Sequence, residues 1–336
     1  MIQLIYRKSR TTGNFSIETS FDYFLANYQR IGKFQPIQKI VSTYYSKGFL
    51  PRLKAIFEIK RMKGRIFHIT GDVHYLCLGL PKAKTILTIH DLGFMQQKTG
   101  LIRVILKFFW ITLPVRHCRY VTTVSEATRQ DVLKYSNCEA NKVNVIPTLI
   151  NPIFQRKEKK FNQQKPILLH IGTAFNKNLE RHIKALQGLN VHLHIIGQLN
   201  KEQLELLQIN KIDFTNDYNI SNEEIKQAYE KADILLFCST LEGFGMPIIE
   251  AQKVGRVVIT SNLSSMPEIA GGGACLVNPF SIEAIRAGIL KVIKNTTYRK
   301  DLIHKGYKNC QRYGVEKVTA GYEQLYAQIL KETCTS

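Results

Sequence analysis

Two glutamates stand on either side of a glycine-rich turn in CSTLEGFGMPIIEA, residues 238–251, with GFGMPII between Glu242 and Glu250. The preceding run ADILLFCS is apolar enough for a strand buried on both faces. MPIIEAQKVG then reads as a helix, with Pro247 at its first position and Gly255 just past its end. This places Glu242 in the loop at the strand's carboxyl end and Glu250 on the first helical turn. A helix start offers backbone N–H groups and a partial positive charge, which suit phosphate. Gly243 and Gly245 let the backbone approach an anionic ligand closely. Carboxylates repel phosphate but accept hydrogen bonds from hydroxyls on either side of it, each worth roughly 1.5–3 kcal/mol. A ligand that satisfies both demands is a sugar–diphosphate–ribose. Spacing alone equally allows a strand–turn–helix whose glutamates point to water.

The elements that must position this stretch alternate along the chain. Strand-like runs are MIQLIY, RIFHIT, KTILTIH, YVTTVS and VNVIPT in the first half, then ILLHIG, VHLHIIG, ADILLFCS, RVVITS and ACLVN. Helical patterns such as EATRQDVLKY, NLERHIKALQGL and NEEIKQAYEKA lie between them. The alternation predicts an α/β chain of two Rossmann-like domains with doubly wound parallel sheets, each binding ligands at the carboxyl ends of its strands. The lysine-rich stretch before Pro166 predicts the boundary. The expected division is 1–155, a linker over 156–166, 167–320, and a C-terminal helix or tail over 321–336 that packs back on the first domain.

Composition narrows the partners. With 44% hydrophobic and 22% charged residues, the 336-residue chain can bury real cores. Its seven cysteines form no CxxC pair, so reduced thiols and no metal site are expected. The opening MIQLIY precedes basic residues, an order reversed from a secretory signal, and no apolar run is long enough to span a membrane. The net charge of +21 is uneven: residues 1–165 hold 28 Lys and Arg against 9 Asp and Glu, residues 166–336 hold 19 against 17. The first half therefore suits something anionic, with a solvated lysine-rich surface as the alternative. LIRVILKFFW, residues 101–110, is the aromatic-basic segment that suits a membrane surface, and a buried helix is its alternative.

EGFGMPIIEA resembles the E-x7-E motif of retaining glycosyltransferases of the GT-B fold, specifically glycosyltransferase family 4. The likeness extends over QAYEKADILLFCSTLEGFGMPIIEAQKVGRVVITSNLSSMPEIAGGGACLVNP, LLHIGTAFNKNLERHIKAL, ILTIHDLGFM, VTTVSEATRQDVLKY and KVNVIPTLINPIF. It covers most of the chain, is strongest over 168–280 and weakest over 22–65. It implies a basic acceptor-binding N-terminal domain and a donor-binding C-terminal domain facing a central cleft. By the same resemblance Glu250 binds the ribose hydroxyls, Glu242 holds the donor sugar, and the backbone of Phe244, Gly245 and Met246 touches sugar and diphosphate. Lys177 neutralises the diphosphate, Gly172 and Thr173 line it, and His90 faces the donor sugar. Gly13 sits in a loop that approaches phosphates or acceptor. Thr173 stands where many members carry a basic residue, and Arg181 either assists the diphosphate or lies on the surface. Asp91 is expected to cap a local turn.

The implied activity is retaining transfer of a hexosyl group from a UDP- or GDP-sugar to a glycan or lipid-linked glycan in bacterial-type cell-surface polysaccharide assembly. No metal or other cofactor and no nucleic-acid partner are expected. The expected location is cytoplasmic, peripheral on the inner face of the cytoplasmic membrane. Three rivals remain at this level. A nicotinamide dehydrogenase needs a G-x-G-x-x-G after a strand, whereas GGGA (271–274) precedes one. A basic nucleic-acid-binding protein needs a reading module. A catalytically inert GT-B-like binding protein has no need of Glu242, Glu250, Lys177 and His90 together.

Overall fold

A computed structural model describes residues 1–8, 16–31 and 36–334. Gly13 lies outside the described residues. The chain divides into two units, Met1–Leu149 with Tyr313–Ser336, and Ile150–Arg312.

The first unit is built on β1 (Ile2–Tyr6), β2 (Ile37–Val41), β3 (Ile66–Ile69), β4 (Thr85–Ile89), β5 (Tyr120–Thr123) and β6 (Val143–Val145). They form one parallel sheet in the order β2-β1-β3-β4-β5-β6. β1, β3, β4 and β5 are buried along their whole length, as apolar strands covered on both faces must be. The helix Val315–Cys334 closes one face of this sheet: Val318, Tyr322, Leu325, Tyr326 and Ile329 pack with Ile2, Leu4, Ile66 and Ile86. A buried polar chain runs beneath it. Tyr326 Oη lies 2.8 Å from His68 Nδ1, His68 Nε2 lies 2.6 Å from Thr88 Oγ1, and Thr88 lies 2.6 Å from Thr122. Burial pushes the His68 pKa down to about 3, so the ring is neutral.

The second unit carries β7 (Ile167–Ile171), β8 (His192–Ile196), β9 (Phe214–Asp217), β10 (Ile234–Phe237), β11 (Val257–Ser261) and β12 (Cys275–Val277). Its sheet is also parallel, in the order β12-β11-β10-β7-β8-β9. Successive strands therefore wind outward from a reversal between β7 and β10, where Ile234 pairs with Leu168. In sheets of this kind ligands bind at the carboxyl ends of the strands beside such a reversal.

Residues 156–166 belong to the second unit. The Lys157 N–H donates to the Val254 carbonyl at 3.1 Å, and the Lys157 carbonyl accepts from the Arg256 guanidinium at 2.8 Å. The Asp233 carboxylate accepts from Lys159 Nζ, from the Asn162 N–H at 3.1 Å and from the Ile167 N–H at 2.9 Å. In the first unit, Gly100–Leu106 is α-helical and continues through a π-helical stretch, Lys107–Thr112. Burial begins only at Ile111; Leu101, Ile102, Val104, Ile105, Phe108 and Phe109 are exposed.

Candidate active site

The loop after β7 is shaped by two left-handed residues, Gly172 (φ 89°) and Asn178 (φ 66°). A Cβ on Gly172 would lie 3.0 Å from Cγ and 3.1 Å from Cε of Lys177, so the lysine stem crosses directly over the glycine. The Gly172 N–H donates to the Ile196 carbonyl at 2.7 Å, and its own carbonyl accepts from His170 Nε2 at 2.7 Å. A carbonyl only accepts, so Nε2 of His170 carries the hydrogen. Burial, the largest cause, pushes the His170 pKa down to about 4.

Amide side chains then tie this loop to the one after β10. Asn178 Nδ2 donates to the carbonyls of Cys238 (3.0 Å) and Pro279 (2.7 Å). Asn176 Nδ2 donates to the Leu241 carbonyl at 3.0 Å, and the Thr240 N–H donates back to the Asn176 carbonyl at 2.8 Å. These bonds fix two backbones side by side and bring Lys177 Nζ to 2.6 Å from Glu242 Oε1. Nζ also stands 5.0 Å from the Phe237 ring centroid. Both members of the pair are mostly shielded, with 22% and 13% of their side-chain surface exposed, so water weakens the attraction less than at an open surface.

Two serines brace the glutamate loop from the far side. Ser264 Oγ donates to the Glu242 carbonyl at 2.7 Å, and Ser265 Oγ donates to that of Phe244 at 2.9 Å. Gly245, at φ 98°, turns the chain into the helix Met246–Val254, whose start no side chain caps. Pro247 lies in the first turn, and left-handed Gly255 (φ 87°) ends the helix.

Glu250 is the fifth helical residue, one position past the first turn expected for it. Its Oε2 accepts from the Tyr229 hydroxyl at 2.7 Å. Burial outweighs that bond and pushes the Glu250 pKa up to about 7, while burial and the nearby carboxylate push the Tyr229 phenol up. The unfolded value is about 4.3, so between the two pKa values the folded state binds more protons than the unfolded. Stability therefore falls as pH rises through this window, by up to about 3 kcal/mol once Glu250 is fully ionised. We expect Glu250→Gln to flatten the decline in melting temperature between pH 5 and pH 8, measured against wild type by calorimetry. Parallel profiles for the two proteins would rule out a buried, protonating Glu250.

The second unit thus gathers Gly172, Thr173, Lys177, Glu242, Gly243, Phe244, Gly245, Met246 and Glu250 on the loops and helix that follow β7 and β10. Not all of them point inward. The Thr173 hydroxyl donates to the Gln198 carbonyl at 2.7 Å, and the Phe244 side chain is buried. Arg181 donates to Asn178 Oδ1 at 2.8 Å and stacks over Phe280. His90 belongs to the first unit, just past β4. Its Nε2 donates to the Thr70 carbonyl at 2.7 Å at the end of β3, and burial pushes its pKa down. That leaves a neutral ring with Nδ1 as its acceptor. The ring and Phe21, Phe24, Val124 and Tyr322 line a small apolar recess within the unit. Asp91 accepts from the Gly93 N–H at 2.9 Å, a local turn. Among the described residues no three His, Cys, Asp or Glu side chains come together as a metal site.

Sequence reasoning missed Tyr229, Asn176, Asn178, Ser264 and Ser265. The asparagines sit on either side of Lys177 in FNKN and were within sight. Tyr229 had no signal in spacing, because it arrives from the helix that precedes β10.

Two parallel Rossmann-like sheets in one chain are the GT-B architecture of glycosyltransferases, and solved structures share it. Anabaena Alr3699/HepE, solved in complex with UDP and glucose, superposes with a TM-score of 0.76 over 98% of this chain and 100% of that one, at 13% identity. The model of Glycosyl transferases group 1 matches residues 153–309, and that of Glycosyltransferase Family 4 matches residues 21–153. The chain belongs to glycosyltransferase family 4. Among its relatives, O-antigen chain mannosyltransferase RfbU of Salmonella typhimurium is 26% identical over 69% of this chain and 66% of its own length. O-antigen chain mannosyltransferase B of Escherichia coli is 24% identical over 90% of this chain and 84% of its own.

Proposed function

We propose that the protein moves a hexosyl group, with retention of anomeric configuration, from a nucleotide diphosphate sugar to a glycan or lipid-linked glycan in cell-surface polysaccharide assembly. The observation that carries this reading is the contact of Lys177 with Glu242 beside the uncapped helix start at Met246. The pair places a cation for a diphosphate next to a carboxylate for sugar hydroxyls. In the free protein each neutralises the other. A bound donor replaces that contact with two: Lys177 moves onto diphosphate oxygens, and Glu242 accepts from the sugar.

The chemistry asks for a stabilised leaving group more than for a strong base. The acceptor hydroxyl forms a bond to the anomeric carbon on the face from which the diphosphate departs. The anomeric C–O bond breaks, and the departing phosphate oxygen takes the hydroxyl proton. Lys177 and the helix start meet the charge that develops on that phosphate. Glu250, whose pKa burial raises to about 7, accepts hydrogen bonds from the ribose hydroxyls in its ionised form. No metal is assigned a role, and the acceptor is assigned to the N-terminal unit at the inner face of the cytoplasmic membrane.

The relatives named as mannosyltransferases favour mannose as the transferred sugar. Thermal shift with a panel of UDP- and GDP-sugars tests this, since a ligand that binds only the folded state raises its melting temperature. A mannosyl nucleotide is expected to give the largest shift, about 2.7 kcal/mol of added stability at a hundredfold excess over Kd. No shift with any nucleotide sugar would remove the donor site proposed for the second unit.

A further inference from the structure

The stretch Gly100–Thr112 has the composition of a core helix and the exposure of a surface one. At 100° per residue, Leu101, Ile102, Val104, Ile105, Phe108 and Phe109 fall within one broad arc. Arg103 and Lys107, four residues apart, fall on the opposite side. All six apolar residues are between 47% and 74% exposed. A second apolar edge adjoins this helix. The Arg52 guanidinium lies 4.4 Å over the Trp110 ring, and in the same helix as Arg52 (Phe49–Lys60) Phe49 and Leu50 are 73% and 68% exposed. An apolar face of this extent on a lone chain marks a surface that something covers.

We propose that this face is a monotopic membrane wedge: the helix 100–112 lies in the plane of a bilayer surface that carries anionic headgroups, with its apolar arc among the acyl chains. Charge selects this occupant over a protein groove. No acid occurs between Asp91 and Glu126, and Glu58 is the only one between 28 and 65. The Glu58 carboxylate is itself engaged by the Thr43 N–H. Anionic headgroups attract such a surface, and Arg103 and Lys107 reach back to them from the far side of the helix. Thirteen residues rise about 20 Å, too short to cross the hydrocarbon core but long enough to lie along it. No helix among the described residues is long and apolar enough to cross a membrane. The wedge supplies the means of the membrane attachment proposed above and rests on that reading only for which leaflet is met. Transfer chemistry has no part in its test.

Trp110 is the only tryptophan of the chain, so its fluorescence reports on this helix alone. Vesicles of phosphatidylcholine with phosphatidylglycerol are expected to shift its emission to the blue and to co-sediment the protein. Vesicles of phosphatidylcholine alone should bind at least about tenfold more weakly, and added salt should weaken binding to the anionic vesicles without abolishing it. Ile102→Glu combined with Phe109→Glu should lower vesicle affinity at least about tenfold while leaving the thermal shift by nucleotide sugar intact. Unchanged Trp110 emission with anionic vesicles at low salt would overturn the proposal, with or without folded variants. Equal binding by the double variant would overturn it too. So would a lipid-free dimer that the double variant dissociates, which would give the face to a second copy of the chain. Vesicle binding without any nucleotide-sugar shift would leave the wedge standing and sink the transferase site instead.

Discussion

Replacing Lys177 by alanine is expected to cut sugar transfer by at least about a hundredfold while leaving the second unit folded. The lysine makes one strong contact, 2.6 Å to Glu242, and its stem rests on Gly172. Neither end supports the core, because the loops are joined through Asn176 and Asn178 and braced by Ser264 and Ser265. The variant should therefore melt close to wild type. What it loses, in the transfer proposed above, is the cation that meets the departing diphosphate, in a setting where water screens little. Glu242→Ala should be comparably damaging for the opposite reason, since sugar hydroxyls lose their acceptor. The two losses should not add: the double variant is expected to lie well above the product of the single rates, because each change also abolishes the pair. Nucleotide release from the donor, measured with melting temperature on the same samples, decides the matter. Full activity in either folded variant would dismantle the site.

The second large effect concerns the helix Val315–Cys334. A chain ending at Arg312 is expected to lose the first unit entirely. Val318, Tyr322, Leu325, Tyr326 and Ile329 are all nearly or fully buried against the first sheet. At roughly 1.5–3 kcal/mol each they contribute about 8 kcal/mol even at the low end. That is comparable to the whole stability of an ordinary domain, about 5–15 kcal/mol. Removal also strips Tyr326 from His68 and opens the buried polar chain to water. The second unit has its own core and should keep its cooperative transition and its shift with nucleotide sugar. Limited proteolysis followed by calorimetry reads both. Two intact transitions in the shortened chain would show that the helix is an accessory.

The sequence reading found every inner strand and missed two edge strands. Ten of the twelve were legible as apolar runs, and they include every inner strand of both sheets. β2 and β9, the two overlooked, both lie at sheet edges. IQKIV buries one residue in five, and FTND is half-exposed at alternate positions. An edge strand has water on one flank, so nothing in its composition need be apolar throughout. The site divides in the same way. Backbone conformation was readable at Gly255, which at positive φ ends the helix it was expected to end. Contacts between distant segments were not. Lys177 and Glu242 were each singled out, but their direct pairing depends on asparagine side chains crossing between two loops. Glu250 was placed in the first turn because Pro247 was taken to open the helix, which begins at Met246. Its raised pKa comes from burial, against the opposing bond from Tyr229, and no spacing rule connects either to it.

The first unit is made of two pieces of chain with the whole second unit between them. On the ribosome this reverses the usual order of maturation. The basic N-terminal piece emerges early, yet its sheet has one face uncovered until the segment beginning at Tyr313 has been translated. The second unit can complete itself first, being continuous in the chain. For that interval a nascent chain displays a bare apolar sheet, the kind of surface that chaperones hold and that aggregates in crowded polysomes. Slow translation or a bulky fusion close to the terminal helix would lengthen the interval, so yield on expression should be more sensitive to changes there than to changes of equal size in the second unit.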